Sequence, residues 1–334
     1  MLPVPCSELR VHHGGGSDSV GGPAVKLWRM QQFFPDRAYR YNLIYSVSAK
    51  VPPTVCRHAK RRGIKVVSHV NSIFHAAYRA NFQQMNKPIA EVYKMADHVV
   101  FGSEHARSAA WQLLGESSAP WSIVYNAVDV SHFVPTEKPA GRLNVLVIGI
   151  QSFRHVVESV IRAMPLVVRA RPEAKLVVVG QLSEGSGIAD CSLSTFERIA
   201  SDVGLSRIEF LGRYSQEDAP KLYGLGDVQV HMKHMDWTPN TVAEGMSCGL
   251  PILHTGNGGV GEIVGDAGMS LGMPADWDQI RTPDPELLAS RILQLAEVAA
   301  IKGQLARSRA EQLFNMEVWV AAHKKIFGDL LNLE

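Results

Sequence analysis

Two carboxylates with seven residues between them, Asp236 and Glu244, are the side chains in this chain best placed for chemistry. Glu244 follows a Pro-Asn pair and opens a short apolar run, which predicts the start of a helix. A helix N-terminus offers unpaired N–H groups and a positive dipole end, so it suits a phosphate. One carboxylate beside it can hold ribose hydroxyls while the other faces a sugar. A nucleotide-sugar would use all three features.

Four segments in the chain carry a family resemblance. Pro239-Asn-Thr-Val-Ala-Glu-Gly-Met-Ser-Cys-Gly-Leu-Pro251 is followed by the glycine-rich Gly258-Gly-Val-Gly-Glu262. Ala96-Asp-His-Val-Val-Phe-Gly-Ser103 and Asn126-Ala-Val-Asp-Val-Ser-His-Phe-Val-Pro135 come earlier. Together they resemble the motifs of the retaining glycosyltransferases of family four, which carry a Glu-x7-Glu acidic pair. The segments occur in the family's order and span most of residues 60 to 270.

The resemblance implies an α/β protein with the GT-B fold, in which two Rossmann-like domains with parallel sheets face each other across a cleft. We predict a short acceptor-side domain at 1–138 and a nucleotide-sugar-binding domain at 139–308. Residues 309–334 are predicted to form a helix that packs back on the first domain. Residues 135–142 are polar and bracketed by proline, which is typical of a linker.

Short β-branched runs alternate with amphipathic stretches, and this pattern independently predicts parallel α/β architecture. Strands are predicted at 41–47, 65–69, 98–102, 122–125, 143–149, 174–180, 208–212, 228–231 and 251–254. Helices are predicted at 24–32, 54–62, 87–95, 103–114, 155–170 and 192–203, and again between 284 and 333. Ligands in such sheets bind beyond the carboxyl ends of the strands. The acidic segment follows the strand that ends at His231, so we expect it at that edge.

Composition narrows the classes of function. The chain has 334 residues, enough for two domains, and its net charge of +2 gives no reason to expect a nucleic-acid partner. Its four cysteines are far apart, without a Cys-x-x-Cys pair, which favours a reducing compartment and argues against structural zinc. No apolar run reaches the ~20 residues of a membrane span. We therefore expect a cytoplasmic, soluble protein. The family resemblance implies in addition that it needs no metal and no cofactor.

The resemblance implies that Glu244 holds the donor ribose and that Asp236 positions the donor sugar. Asp236 stands where the family has a glutamate, and its shorter side chain reaches less far by about one methylene. Each carboxylate also has a structural interpretation. Glu244 could simply complement the helix dipole. Asp236 could cap a turn at Thr238 or Asn240.

We expect backbone amides and cationic side chains to bind the diphosphate. By position, the amides of Asn240, Thr241 and Val242 are expected to face the diphosphate. The family places an Arg and a Lys after the first strand of the second domain, where this chain has Gly149-Ile-Gln-Ser-Phe-Arg154. Arg154 is expected to replace the lysine, and Lys233 to compensate for the missing arginine.

Two further predictions concern the first domain. The family has a Gly-Gly pair between its first strand and first helix, facing the donor phosphates, and Gly21-Gly22 fits that role best. Taken alone, a glycine-rich N-terminus is more typical of a flexible tail. His69 closes a strand and is expected to line the sugar pocket as a catalytic residue. A satisfied histidine at a strand end is the alternative.

The resemblance therefore implies an enzyme that moves a sugar from a nucleotide-diphosphate donor to a hydroxyl acceptor, either a glycan, a lipid-linked acceptor or a small molecule. The basic run at 57–62 allows peripheral contact with a membrane but more often forms a solvated helix end. Two alternatives stay open. One is a non-catalytic GT-B protein that binds a nucleotide-sugar or a partner, and the other is a nucleotide-sugar epimerase.

Overall fold

The computed structural model describes residues 8–15, 22–183 and 190–333. The chain divides into two compact units, one formed by 1–126 with 316–334 and the other by 127–315. Both boundaries differ from the predicted 138 and 309. The Val128 amide donates to the Phe314 carbonyl at 2.7 Å, and this hydrogen bond joins the start of the second unit to its end.

The first unit contains a parallel sheet whose five described strands lie in chain order. The strands are β1 (Val11–His12), β2 (Leu43–Val47), β3 (Lys65–Val70), β4 (His98–Phe101) and β5 (Trp121–Ile123). The helices are α1 (Gly22–Phe33), α2 (Pro53–Arg61), α3 (Phe82–Met95), α4 (Glu104–Leu114) and, at the end of the chain, α12 (Met316–Leu331). Every residue of β2 is buried, as its continuous apolar pattern predicts.

Local chemistry sets the ends of several of these elements. The Ser103 hydroxyl accepts from the Ala106 amide at 3.0 Å and so caps the start of α4. α3 begins five residues before the predicted Lys87, and Pro88 lies inside it. A proline there removes one helix hydrogen bond but does not end this helix. β1 was not predicted and is only two residues long.

The second unit contains a six-stranded parallel sheet in the order β8-β7-β6-β9-β10-β11. The strands are β6 (Leu143–Ile148), β7 (Ala174–Val179), β8 (Ile208–Leu211), β9 (Val228–His231), β10 (Ile252–His254) and β11 (Gly268–Ser270). The chain runs outward from β6 to β8, then returns to the centre and continues from β9 to β11. This is the doubly wound order of a Rossmann sheet, and its reversal point lies between β6 and β9.

Seven helices are described in this unit. They are α5 (Arg154–Ala170), α6 (Leu193–Asp202), α7 (Ala219–Tyr223), α8 (Asn240–Ser247), α9 (Val260–Val264), α10 (Pro285–Glu297) and α11 (Ala299–Leu313). The short elements α7, α9 and β11 were not predicted. Val145 and Val147 of β6 belong to a large apolar core that also takes in the inner side of α5. Across the described part of both units, no helix combines the length and the apolar character needed to cross a membrane.

Candidate functional site

The reversal point of the second sheet brings two loops together. β6 is followed by Gly149, and β9 is followed by a loop that leads into α8. Gly149 has a φ of +126°, and a Cβ on it would lie 3.2 Å from Cγ2 of Thr241 in the first turn of α8. Glycine therefore permits both the backbone conformation and the close approach. Because ligands of doubly wound sheets bind at this point, beyond the carboxyl ends of the strands, the two loops define the candidate site.

Asp236 lies in the loop after β9 and is 5% exposed. One carboxylate oxygen accepts from the Lys233 ammonium at 2.7 Å, and the other lies 2.9 Å from Nε2 of His231. Burial by itself raises the pKa of Asp236, but the charge of Lys233 and the bond to His231 outweigh burial and hold that pKa below its usual range. The carboxylate is therefore ionised and fixed in place. The oxygen that contacts Lys233 also accepts from the Trp237 amide at 3.0 Å, so Asp236 also bonds to the backbone of the segment that precedes α8.

The two predicted diphosphate cations have different surroundings. The Lys233 ammonium lies beside Asp236 and 5.7 Å from the centre of the Phe153 ring, so it connects the loop after β9 with the start of α5. Arg154, the first residue of α5, donates from Nε to Glu158 at 2.8 Å. This bond uses one of the five N–H donors of the guanidinium. The structure thus brings Lys233, and not Arg154, to Asp236, while the phosphate roles of both stay predictions.

Glu244 is buried on α8, one turn later than its predicted place at the start of a helix. The helix begins at Asn240, because Pro239 has the φ of −68° that suits the position just before it. Glu244 is 1% exposed, and its carboxylate accepts from the Tyr223 hydroxyl at 2.9 Å. Burial and the charge of Glu244 both raise the pKa of Tyr223 well above its ordinary value. Tyr223 therefore remains a donor and orients the carboxylate.

The first turn of α8 consists of the three residues predicted to face a diphosphate, Asn240, Thr241 and Val242. The first amides of a helix lack partners within it, but the Val242 amide donates to the carbonyl of Pro239, just before the helix, at 3.2 Å. The Thr241 carbonyl lies 3.1 Å from the Tyr223 hydroxyl, whose single proton serves one acceptor at a time, and accepts from the Gln229 side chain at 3.1 Å. A role for these amides in binding remains a prediction.

The glycine-rich turn after β10 supports the loop that carries Asp236. The Gly259 amide donates to the Asp236 carbonyl at 2.8 Å. A Cβ on Gly258 would lie 2.8 Å from the Asp236 amide nitrogen and would overlap the Asp236 carbonyl oxygen. Glycine is therefore required at 258 because two backbone segments touch there. The glycine-rich segment at 258–262 thus positions the acidic residue.

A second support, which sequence reasoning missed, is built around Asn257. Its amide oxygen accepts from the Met235 amide at 3.0 Å, and its amide nitrogen lies 2.9 Å from Nδ1 of His234. Nε2 of His234 lies 2.7 Å from the Asp276 carbonyl, which ties the loop before α10 to the same structure. Met235 has a φ of +50°, a strained conformation outside glycine. The loop is thus held rigidly at the residue before Asp236.

His254 was also missed. It ends β10 opposite His231 of β9 and is 4% exposed. Its Nδ1 is buried without a hydrogen-bond partner among the described residues. Burial, followed by the neighbouring His231, lowers its pKa to about 4. The only sequence signal for this pair of histidines is that β9 and β10 both end in histidine.

In the first unit, His69 is fully buried at the middle of a polar network. Its Nε2 lies 2.7 Å from the Lys26 ammonium group, and its Nδ1 contacts the Tyr45 hydroxyl. The same hydroxyl lies 2.9 Å from Nε2 of His323 on α12. Burial, then Lys26 and His323, lower the pKa of His69 well below its ordinary value. A sugar hydroxyl would have to displace one of these partners, so the catalytic role of His69 stays a prediction.

The predicted glycine pair is only partly described. Gly22 is the first residue of α1, and a Cβ there would lie 4.0 Å from the Asn71 amide nitrogen. Gly21 lies outside the described residues. Their proposed contact with donor phosphates stays a prediction.

Comparison with known proteins gives consistent results along the chain. Residues 18–132 match the model described as Glycosyltransferase Family 4, and residues 142–297 match Glycosyl transferases group 1. D-inositol 3-phosphate glycosyltransferase of Mycobacteroides abscessus is 26% identical over 56% of this chain and 44% of its own length. A GDP-mannose-dependent monoacylated alpha-(1-6)-phosphatidylinositol monomannoside mannosyltransferase of Corynebacterium glutamicum is 30% identical over 43% and 37%. The chain thus spans less than half of each of these relatives.

Solved structures share the fold at low sequence identity. Sucrose-phosphate synthase from Thermosynechococcus elongatus superposes with a TM-score of 0.72 at 19% identity, over 88% of this chain and 75% of that protein. Anabaena HepE, solved with UDP-glucose, gives 0.67 at 18% identity, over 86% and 79%. The fold is that of the GT-B glycosyltransferases. With the two family models together matching well over half of its residues, the chain belongs to glycosyltransferase family 4.

Proposed function

We propose that this protein transfers a sugar, with retention of anomeric configuration, from a nucleoside-diphosphate donor to a hydroxyl acceptor. The observation that carries the proposal is a buried, ionised Asp236 held by Lys233 and His231 at the reversal point of the second sheet. It lies beside the uncapped start of α8. A fixed carboxylate next to a phosphate-binding helix terminus suits a ligand that joins a sugar to a diphosphate. HepE, which has this fold, has been solved with such a donor.

In this proposal the diphosphate binds at the first turn of α8. The amides of Asn240, Thr241 and Val242 donate to its oxygens, and the helix dipole adds a favourable potential. Gly149 leaves room for the phosphates because a side chain there would press on Thr241. The Lys233 ammonium stabilises the negative charge that develops on the leaving diphosphate, so no metal ion is needed.

The two carboxylates divide the rest of the donor between them. Asp236 accepts hydrogen bonds from donor sugar hydroxyls, while Lys233 and His231 fix its direction. Glu244 accepts from the ribose hydroxyls, and Tyr223 holds its carboxylate in one orientation. Hydrogen bonds to a charged acceptor are each worth about 1.5–3 kcal/mol.

The chemical step exchanges one bond at the anomeric carbon for another. The bond from C1 to the diphosphate oxygen breaks, and a bond from C1 to the acceptor oxygen forms on the same face of the sugar. The acceptor proton passes to the departing diphosphate oxygen, so no protein base is required. We propose a glycan or a lipid-linked alcohol as acceptor, since the Corynebacterium glutamicum relative is named for a phosphatidylinositol mannoside.

The direct test measures release of nucleoside diphosphate from UDP-, GDP- and ADP-sugars in the presence of EDTA, with proton NMR of the product to assign its anomeric configuration. Glu244→Gln keeps an acceptor for Tyr223 but removes the charge. We expect it to weaken donor binding by about 10- to 100-fold. Glu209→Gln is the matched control, because Glu209 is 44% exposed on β8 and pairs with Lys175.

Four results would contradict the proposal. Turnover that is lost in EDTA would remove the metal-independent mechanism, and an inverted product would remove the retaining one. Donor binding by calorimetry without turnover on any acceptor would favour the non-catalytic alternative. Equal effects of Glu244→Gln and Glu209→Gln would exclude Glu244 from the donor site.

A further inference from the structure

The second unit contains a cavity of about 530 Å³ at the opposite edge of its sheet from Asp236. Its lining includes Leu143, the first residue of β6, and Asp227, which directly precedes β9. It also includes Cys248 and Gly249, just past the C-terminal end of α8, whereas the candidate donor site lies at the start of that helix. Six residues of β6 separate the two edges by about 20 Å. The cavity is therefore a separate site, with a volume in the range of small-molecule pockets.

One wall of the cavity is apolar and nearly free of side-chain bulk. Ala296, Ala300 and Gly303 line it where α10 ends and α11 begins. A Cβ on Gly303 would overlap the Gly249 carbonyl oxygen, so this wall is fixed by close backbone packing. Small residues here leave space that larger side chains would fill. The wall thus offers a rigid apolar surface.

The other wall is basic, and most of its cations are already neutralised. Arg142 binds Asp227 through two nitrogens at 3.0 and 2.9 Å. Arg307 binds Glu311 at 2.7 Å and also donates to three backbone carbonyls. Arg171, the remaining arginine in the lining, pairs with Glu173 at 2.6 Å.

Lys138 is the exception in this lining. It is half-buried, and its ammonium group forms no hydrogen bond or ion pair with any described residue. Burial lowers its pKa from the ordinary value, and the nearby charge of Asp227 opposes this shift. Because Asp227 is already bound by Arg142, the partly desolvated Lys138 ammonium would be stabilised by an anion placed in the cavity.

We propose that this cavity binds a small molecule that joins one anionic group, paired with Lys138, to an apolar body packed on the Ala296–Gly303 wall. The first turn of α11 adds the positive end of a 15-residue helix at the same wall. The candidate donor site does not explain this lysine, because none of the donor-site residues lines the cavity. The site does not depend on the proposed glycosyl transfer.

The test uses two fluorescent probes with the same kind of apolar body. 8-Anilinonaphthalene-1-sulfonate carries one anionic group, and N-phenyl-1-naphthylamine carries none. We expect the folded wild-type protein to bind one sulfonate probe saturably and at least about tenfold more tightly than the neutral probe. Lys138→Met, which keeps the apolar stem but removes the charge, is expected to abolish that preference by weakening only the sulfonate probe.

Two further variants locate the binding. Ala300→Trp, at an exposed helical position in the lining, is expected to fill the cavity and abolish binding of both probes. Lys221→Met removes a lysine whose side chain is 84% exposed on α7 and is expected to change neither affinity. Thermal unfolding checks that each variant is folded. No saturable binding, binding that survives Ala300→Trp, or equal effects of Lys138→Met and Lys221→Met would overturn the proposal, as would displacement of the sulfonate probe by UDP or GDP.

Discussion

The two units each bury a group of titratable side chains at the ends of their central strands, but the groups differ in composition. In the first unit Lys26, His69, Tyr45 and His323 form a chain of bonds that contains no carboxylate. In the second unit Lys233 and His231 flank the carboxylate of Asp236. We refer to these groups as the neutral network and the acidic cluster.

Burial affects the two groups differently because only the acidic cluster contains a carboxylate. Burial lowers the pKa of Lys26 well below its ordinary value and that of His323 to about 3, so burial disfavours the charged forms in the neutral network. In the acidic cluster Lys233 keeps the pKa of Asp236 low, so the charge persists despite burial. A neutral network joins elements, since it connects α12 to β2 and β3. A retained charge at a strand end is what a polar substrate requires.

The largest expected effect comes from removing the charge of the acidic cluster. Asp236→Asn leaves a neutral amide between Lys233 and His231, so the ammonium loses its counter-ion and the acceptor for sugar hydroxyls is weakened. We expect kcat/KM for glycosyl transfer to fall by about 100- to 1,000-fold, as for loss of one preorganised polar group in an active site. Initial rates with the best donor from the panel measure it.

Asp218→Asn is the matched control for this change. Asp218 is 61% exposed next to α7, and its carboxylate lies 4.0 Å from the Lys221 ammonium. Exposed pairs of this kind contribute little, so activity should be unchanged. A reduction of less than threefold in Asp236→Asn would show that the acidic cluster serves stability alone, like the neutral network.

The next effect tests whether the position of the carboxylate matters as well as its charge. In Gly258→Ala the new methyl group would overlap the Asp236 backbone, so the loop must move by about 1 Å. Displacements of that size cost up to about 100-fold in rate. We expect such a loss with the fold intact, as judged by circular dichroism. Gly212→Ala, where a Cβ meets nothing within 4 Å, should behave as wild type. Equal activities of the two variants would contradict the argument.

Sequence reasoning recovered the sheet architecture because buried parallel strands are continuous apolar runs. β9 has its predicted bounds, and β6 and β7 each end one residue before the prediction. Shorter elements such as α9 and β11 were missed because three to five residues carry too little periodicity to separate them from a loop. The domain boundaries differed because polar composition marks a linker but does not show where that segment packs.

The candidate site was recovered only in part. The spacing from Asp236 to Glu244 identified the segment and the first turn of α8. It did not reveal that His231 and Lys233 hold one carboxylate while Tyr223 holds the other. Such partners depend on how the backbone turns after each strand, which the types of residue at those positions do not determine. Arg154 is the opposite case, because helix geometry at a spacing of four residues allows its bond to Glu158 to be anticipated once the helix includes Arg154.

The smallest expected effect concerns stability and isolates the neutral network. His323 is buried on α12 with a pKa of about 3, whereas a histidine in the unfolded chain has a pKa near 6.5. Between these values the unfolded chain binds a proton that the folded protein does not bind, so stability falls as the pH falls below about 6.5. Between pH 7 and pH 5 this single group lowers the free energy of unfolding by about 2 kcal/mol.

His323→Gln removes that proton-binding group but keeps a polar atom near the Tyr45 hydroxyl. Its free energy of unfolding, measured by urea titration at pH 7, 6 and 5, should therefore fall less than that of the wild type, with a difference of about 2 kcal/mol by pH 5. His58→Gln, at an exposed position on α2, should follow the wild type at each pH. If His323→Gln also follows the wild type, His323 becomes protonated within the folded protein. The neutral network would then carry charge as the acidic cluster does, and the contrast between the two units would rest on Lys26 and His69.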